Sequence, residues 1–365
     1  MNKILYEDLN KLNSQYLKEY ILAIKKIFKN EYFILGNNLN LFQKNFAKFH
    51  NIKYCVGVNS GLDALFLSLK ALNLKKNSEV ILPSNCYVAA VLAVINAGLK
   101  PVFVEPDINT YNIDPELITR KITSKTKVIM VVHLYGKPCK MDKINQICKK
   151  NNLYLIEDCA QAHGAQYKSK LVGTFGDFGC FSFFPTKNLG AVGDGGAILI
   201  NKKRYANELH KLRNYGSMDK NKNEVIGFNS RLDEIQAAFL NIKFKNLEKI
   251  NSHKRKLANI YSENLDSKFI KPSLDKNIKE VHHIYPIRFH ERSKLINYLK
   301  KNNINTLVHY PTPPYLQPFY KKKEGEKYEI SDEIHKTILS LPISTIHSEQ
   351  DIYKITKIIK FFKTF

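Results

Sequence analysis

Lys187 sits in SFFPTKNLGAVGDGGAILI, Ser182 to Ile200, in a turn between two apolar runs and ahead of four glycines. A lysine held there is partly desolvated, and desolvation favours the neutral amine, the form that attacks a carbonyl carbon and makes a Schiff base. The glycines allow backbone to approach a bulky group beside it. They do not spell a phosphate loop, which needs Lys and then Ser or Thr directly after its last glycine. Most lysines of a lysine-rich chain lie on the surface, and glycine-rich turns also close hairpins, so this segment alone leaves both readings open.

A second segment, LYLIEDCAQAHGA, ends an apolar strand in two consecutive carboxylates, Glu157 and Asp158. They fall at the strand end where α/β sheets bind ligands, and one of them could hold the proton on a cofactor's ring nitrogen. A helix cap or a loop ion pair would account for them equally well, and His163 alone reads as a packed, hydrogen-bonded histidine. In YCVGVNSGLDALFLSL a strand runs through Asn59, Ser60 and Gly61 into a helix. Free N–H groups and the helix dipole favour a phosphate at such an entry, although capping alone would account for Ser60. Tyr87, in PSNCYVAA after the run EVILP, offers a flat ring for stacking or a core side chain.

The elements that must position these residues are visible as periodicity. The runs YCVGV, EVILP, PVFVE, KVIMVVH and LYLIED read as strands, with amphipathic segments between most of them, the pattern of an α/β sheet with crossover helices. Gly61 to Leu72 has helical spacing. After Ser230 a long helical pattern begins, RLDEIQAAFLNIKFKNLEKINSHKRKLANIYSENL, and the spacing beyond it loosens. A boundary is placed within it, giving a large domain of residues 1–245 and a small α+β domain of residues 246–365. In the latter HHIYPIRF is expected as a strand, and RSKLINYLKKNN and QDIYKITKIIKFF as helices. With 365 residues and 44% hydrophobic content, the chain can bury a large and a small core unaided.

Composition excludes several classes of function. The six cysteines are scattered without a CxxC pair, so neither a zinc site nor a redox pair is expected, and no metal is assigned. No run approaches the roughly 18 apolar residues of a membrane span, and MNKILYEDLNKLNSQYLKEY lacks the apolar core of a signal peptide, so no membrane partner and a cytoplasmic location are expected. The net charge of +24 raises nucleic-acid binding as an alternative. Apart from short clusters such as YKKKEGEK, Tyr320 to Lys327, the lysines are spread over almost every segment, so no nucleic-acid partner is assigned.

Taken together and in order, these segments resemble the DegT/DnrJ/EryC1/StrS sugar aminotransferases, from about Glu31 (EYFILGNNLNLFQKNFAKF) to HYPTPPYLQPFY near the C-terminus. The resemblance implies a pyridoxal-phosphate (PLP) enzyme of fold-type I, a three-layer α/β/α sandwich with a mainly parallel sheet and a small C-terminal α+β domain. It implies that Lys187 carries the cofactor and that Asp158 partners the pyridine nitrogen. Ser60, Gly61 and Leu62, with Ser182, match the phosphate cradle. Tyr87 matches the stacking position, and Gln161 a contact to the ring face or its hydroxyl. Asn229, in GFNSRLDEIQAA, is similar to a residue that reaches the phosphate from a neighbouring subunit, which implies a homodimer with shared sites. Asp194 stands where many members have Glu in a GEGG motif, a departure that keeps the carboxylate.

GVNSGLDAL, KNLGAVGDGGA and HYPTPPYLQPFY look like the subgroup that transfers an amino group from L-glutamate to carbon 3 of a dTDP-3-oxo-6-deoxyhexose, in deoxyamino sugar biosynthesis. Amination at carbon 4 of a UDP-, GDP- or dTDP-4-keto sugar is the alternative, as is a PLP-family regulator without transamination. His309 and Tyr310 are expected on the sugar or its pyrophosphate. Arg213 and Arg231 are expected on the donor carboxylate or the pyrophosphate, since guanidinium pairs with either.

Overall fold

The apolar runs expected as strands pair into one seven-stranded sheet in the computed structural model, which describes residues 3–30, 32–219, 222–321 and 325–362. Its strands are β1 (Tyr54–Val58), β2 (Glu79–Pro83), β3 (Lys100–Val104), β4 (Thr126–Val132), β5 (Tyr154–Asp158), β6 (Phe178–Ser182) and β7 (Gly196–Ile200). They lie in the order β1-β7-β6-β5-β4-β2-β3, and only β7 runs against its neighbours. Parallel pairing needs crossovers, and these bury both faces of the sheet. Along β4, Val128, Met130 and Val132 enter one core, with Leu65, Val91 and Leu209 from the helices Gly61–Ala71, Val88–Asn96 and Lys203–Leu212. Ile129 and Val131 enter the opposite core, with Ile144 and Cys148 from the helix Met141–Lys150. This is the α/β/α sandwich of fold-type I.

Ahead of β1 lie the helices Leu9–Ser14, Leu17–Asn30 and Asn37–Phe49, beyond the strand and helix pattern expected from the sequence. The helical pattern after Ser230 forms two helices, Glu234–Phe244 and Leu247–Asn264, and the boundary placed between residues 245 and 246 falls in the turn joining them. The C-terminal part packs Leu247–Asn264 and Glu349–Lys360 on an antiparallel pair, β8 (Tyr285–Arg288) and β9 (Ile338–Leu341), around Leu257, Tyr261, Leu339 and Ile355. Chain crosses between the two parts. Ile4 joins the C-terminal core, while Tyr315, Tyr328 and Ile334 join the core on the large sheet. All six cysteines are buried and unpaired, and no described helix is long and apolar enough to cross a membrane. Residues 322–324 of the lysine cluster, and Glu31 where the family resemblance begins, lie outside the described residues.

Buried and half-buried carboxylates fasten the loops between these elements. Successive strand residues face opposite ways, so Glu157 points away from its neighbour Asp158. Its Oε1 accepts the N–H groups of Phe175 and Gly176, both at 2.7 Å, and its Oε2 accepts that of Gly173 at 2.8 Å. His133 Nδ1 accepts the Cys139 N–H, so Nε2 carries the ring hydrogen and donates to Glu157 Oε2 at 3.1 Å. Glu234 caps the helix Asn37–Phe49 from a distance, accepting the N–H groups of Asn38 and Leu39 at 2.9 and 2.8 Å. Glu105 does the same for the helix Glu329–Thr337, accepting from Ile330 and Ser331 at 3.0 Å each.

Glu157→Gln would set an amide donor among groups that all donate. A stability loss on the order of 3 kcal/mol is expected from chemical denaturation; an unchanged unfolding midpoint would show that the carboxylate does not hold the 173–176 loop.

Candidate active site

The C-terminal ends of β1, β4, β5 and β6, with the start of the antiparallel β7, open on a cavity of about 490 Å³. Open parallel sheets bind ligands at this edge, and the volume suits a small-molecule site. Lys187 enters it from the segment joining β6 to β7, where its own N–H donates to Phe184 O at 2.9 Å. Burial lowers its amine to a pKa of about 8, with the charge of Asp158 pulling the other way. Asp158 ends β5, and its Oδ1 accepts the Ala160 N–H at 3.0 Å. Burial raises its carboxyl above the ordinary range, opposed by that hydrogen bond and by the charge of Lys187. The site therefore holds an amine that releases its proton near neutral pH, facing a carboxylate.

The floor of the cavity is a helix start. Ser60 caps the helix Gly61–Ala71 by accepting the Asp63 N–H at 3.1 Å. The first-turn N–H groups of Gly61 and Leu62 then have no intrahelical partner, which is the condition for holding an anion. Two glycines let separate segments close around them. A Cβ on Gly61 would stand 2.5 Å from the Ser182 Cβ, and one on Gly196 would stand 2.2 Å from Ser60 O. Ser60, Gly61, Leu62 and Ser182 all line the cavity, as does Asp194.

Its wall is a network of aromatic and amide groups. Gln161 accepts the Tyr135 N–H at 2.6 Å and donates to the Tyr310 hydroxyl at 2.8 Å. Tyr310 and Tyr87 lie with ring centroids 5.0 Å apart. The 309–310 loop is pinned further: Tyr135 OH donates to His309 O, His335 Nδ1 bonds Tyr310 O at 2.7 Å, and His309 Nδ1 pairs with Ser340 Oγ at 2.8 Å. Burial and the nearby Lys187 lower His309 to a pKa of about 4, so it is neutral.

Three residues expected at the site do not line this cavity. Arg213 is buried, and its guanidinium donates to Gln43 Oε1 at 2.9 Å and to Gly57 O at 2.7 Å, clamping β1 to the helix Asn37–Phe49. Arg231 donates to Asn214 Oδ1 at 2.9 Å and lies over the Tyr215 ring at 5.2 Å. Asn229 is exposed, in a β-bridge with Asn214. His163 packs against Phe181 and Phe183, with burial lowering it to a pKa of about 3. His133, Glu157 and Cys159 bring potential metal ligands within 4.8 Å of one another. Both Glu157 oxygens already accept two N–H groups each, and His133 turns its hydrogen toward them, so the cluster has its own hydrogen-bond satisfaction.

Two neighbours of Lys187 carry little signal in the sequence. His283 Nε2 stands 3.4 Å from Lys187 Nζ, and Lys254 donates to Asn188 Oδ1 at 3.0 Å and to His283 O at 3.1 Å. In sequence HHIYPIRF reads as a strand, and the pair of histidines directly ahead of its apolar run is the one hint of His283.

The model of the DegT/DnrJ/EryC1/StrS aminotransferase family matches residues 15–360. The dTDP-3-amino-3,6-dideoxy-alpha-D-galactopyranose transaminase of Aneurinibacillus thermoaerophilus is 47% identical over 351 residues, covering 96% of this chain and 97% of its own. The dTDP-3-amino-3,4,6-trideoxy-alpha-D-glucose transaminase of Streptomyces venezuelae is 37% identical over 345 residues, covering 93% and 91%. Among solved structures, S. venezuelae DesV in complex with a ketimine intermediate superposes with a TM-score of 0.96 at 36% identity, covering 99% of this chain and 98% of its own. The residues fit PLP: an amine of lowered proton affinity, a facing carboxylate, and a helix-start cradle that a Cβ at Gly61 would fill. The chain is a PLP-dependent aminotransferase and belongs to the DegT/DnrJ/EryC1/StrS family.

Proposed function

We propose that the chain transfers an amino group from L-glutamate to carbon 3 of a dTDP-linked 3-oxo-6-deoxyhexose, in the cytoplasm, as a step in deoxyamino sugar biosynthesis. The observation that carries the chemistry is Lys187 facing Asp158 across one cavity whose floor is a helix start. The choice of sugar is supported by the two transaminases above, whose names specify amination at carbon 3 of dTDP sugars.

PLP, when bound, supplies the electron sink that makes the donor's α-proton removable. Lys187 would hold it through its amine, and once displaced by the donor would move the proton at the donor's α-carbon. A pKa of about 8 lets that amine both take and return a proton near neutral pH. Asp158 would keep the ring nitrogen protonated. Ser60, Gly61, Leu62 and Ser182 would hold the phosphate, Tyr87 would cover the ring, and Gln161 would fix its orientation while tying it to Tyr310. His309 and Tyr310 would bond the sugar or its pyrophosphate. The same groups serve the reverse half-reaction on the keto sugar, giving ping-pong kinetics. A chain of charge +24 also attracts a pyrophosphate-bearing substrate.

The reading includes a homodimer with shared sites. Tyr87 is 51% exposed and Phe184 49%, both lining the cavity, and Tyr215, Met218 and Ile226 are exposed on the segments around Asn229. A second copy covering these groups would bring its Asn229 to the neighbouring phosphate.

With glutamate as donor, mass spectrometry of products should show dTDP-3-oxo-6-deoxyhexoses aminated on the order of 10²-fold more efficiently than dTDP-, UDP- or GDP-4-keto sugars. Efficient amination of a 4-keto sugar alone would overturn the carbon-3 reading. Lys187→Ala should be inactive and Asn229→Leu impaired. Mixing the two chains should recover part of the activity through the one intact site of each mixed dimer, whereas a fully active monomer in sedimentation would end the shared-site reading.

A further inference from the structure

His283 lies on the segment just ahead of β8, with its Nε2 3.4 Å from Lys187 Nζ. As an ammonium Lys187 only donates, so in that state Nε2 is the acceptor and Nδ1 carries the ring hydrogen. That Nδ1 is buried without a partner among the described residues. The contact to the Lys187 amine is thus the one hydrogen bond the ring makes there. A leucine or phenylalanine would fill the space without the cost of burying an unpaired N–H, so packing alone does not explain an imidazole at this position.

The neighbours fix both the place and the charge of the ring. Lys254, on the helix Leu247–Asn264, donates to the carbonyl of His283 itself at 3.1 Å and to Asn188 Oδ1 at 3.0 Å. Asn188 follows Lys187 in the chain and donates in turn to Asn251 Oδ1 at 2.8 Å and Val281 O at 2.9 Å. The titratable groups acting on His283 are Lys187, Lys254, His309 and His163; Asp158 acts on Lys187 and Glu7 on Lys254. Burial and the two lysine charges hold the imidazole well below its ordinary range. A neutral imidazole keeps one ring nitrogen free to accept. A lysine amine otherwise turns freely about its last bond, and proton transfer at carbon needs its lone pair aligned.

We propose that His283 is a further catalytic residue: as a neutral acceptor it takes one N–H of the freed Lys187 amine and turns the lone pair toward the donor's α-carbon, with Lys254 as the positioning residue that anchors its backbone. No proton passes to the ring. The proposal rests on Lys187 being the working amine and is independent of which sugar is the substrate.

The test compares wild type, His283→Leu and His283→Gln, in which the Gln carbonyl oxygen reaches the place of Nε2. In the apoenzyme, labelling of Lys187 by limiting acetic anhydride is read from its peptide as a function of pH. A wild-type midpoint near the lowered Lys187 pKa of about 8 is expected. His283→Leu should lower it by about 0.5 pH or more, because an acceptor that stabilises the ammonium is lost, while His283→Gln should stay near wild type. In the PLP-loaded enzyme, the single-turnover absorbance change with glutamate should slow on the order of 10²-fold in His283→Leu, with glutamate affinity within about threefold, and His283→Gln should recover to within about tenfold of wild type. A wild-type midpoint and rate in His283→Leu, or a His283→Gln enzyme as slow as His283→Leu, would overturn the proposal. An inert wild type would refute glutamate as donor, and the apoenzyme midpoints would then decide the role of His283 by themselves.

Discussion

An amine that must give up its proton and a carboxylate that must keep its charge share one partly dry cavity, and the fold is organised around that constraint. Burial acts on both in the same direction, toward the neutral form, lowering Lys187 and raising Asp158. For the lysine this is useful. For the carboxylate it is partly offset by the Ala160 N–H and by the charge of Lys187. The pairing of strands sets the two within reach of each other. Asp158 lies opposite Cys180 of β6, and Cys180 lies opposite Ile198 of β7, so the segment that carries Lys187 leaves from the strand beside the one that ends in Asp158.

Rigid supports keep that geometry. Glu157, one residue before Asp158, is committed to the loop that leads into β6, so the strand end bearing Asp158 is held by its own neighbour. Glu234 and Glu105 tie helix starts from other parts of the chain to the body of the fold, and Arg213 locks β1 to the helix Asn37–Phe49 behind the helix start at Ser60. The loop bearing His309 and Tyr310 is held by Tyr135, Gln161, His335 and Ser340. Sites supported in this way lose little to side-chain motion.

Local pattern made much of this legible. The strands before Lys187, the helix entry at Ser60 and the turn that carries Lys187 follow from runs and breaks in the sequence, and order along the chain identified the family. Lys187, Asp158, Gln161, Ser60, Gly61, Leu62, Ser182, Tyr87, His309 and Tyr310 all line one cavity. Arg213 was not legible, because its partners Gln43 and Gly57 are far away in sequence and only the tertiary fold brings them to it. The different tasks of Glu157 and Asp158 depend on which face of β5 meets the cavity. Lys254 belongs to a helix whose charged residues look alike in sequence until packing buries one of them. The break near residue 245 joins two helices by a turn too short to interrupt the apolar period.

Three lysines, Lys187, Lys243 and Lys254, are lowered by burial to a pKa of about 8, so proton affinity alone does not single out one of them as the proposed cofactor lysine. Geometry favours Lys187. Lys243 is taken up by Gly190 O at 2.8 Å and Lys254 by Asn188 and His283, whereas Lys187 lines the cavity with Asp158. Borohydride reduction of the PLP-loaded enzyme followed by peptide mapping distinguishes them directly. The account predicts a single pyridoxyl-bearing lysine, Lys187; the label on Lys243, Lys254 or any other lysine would contradict it.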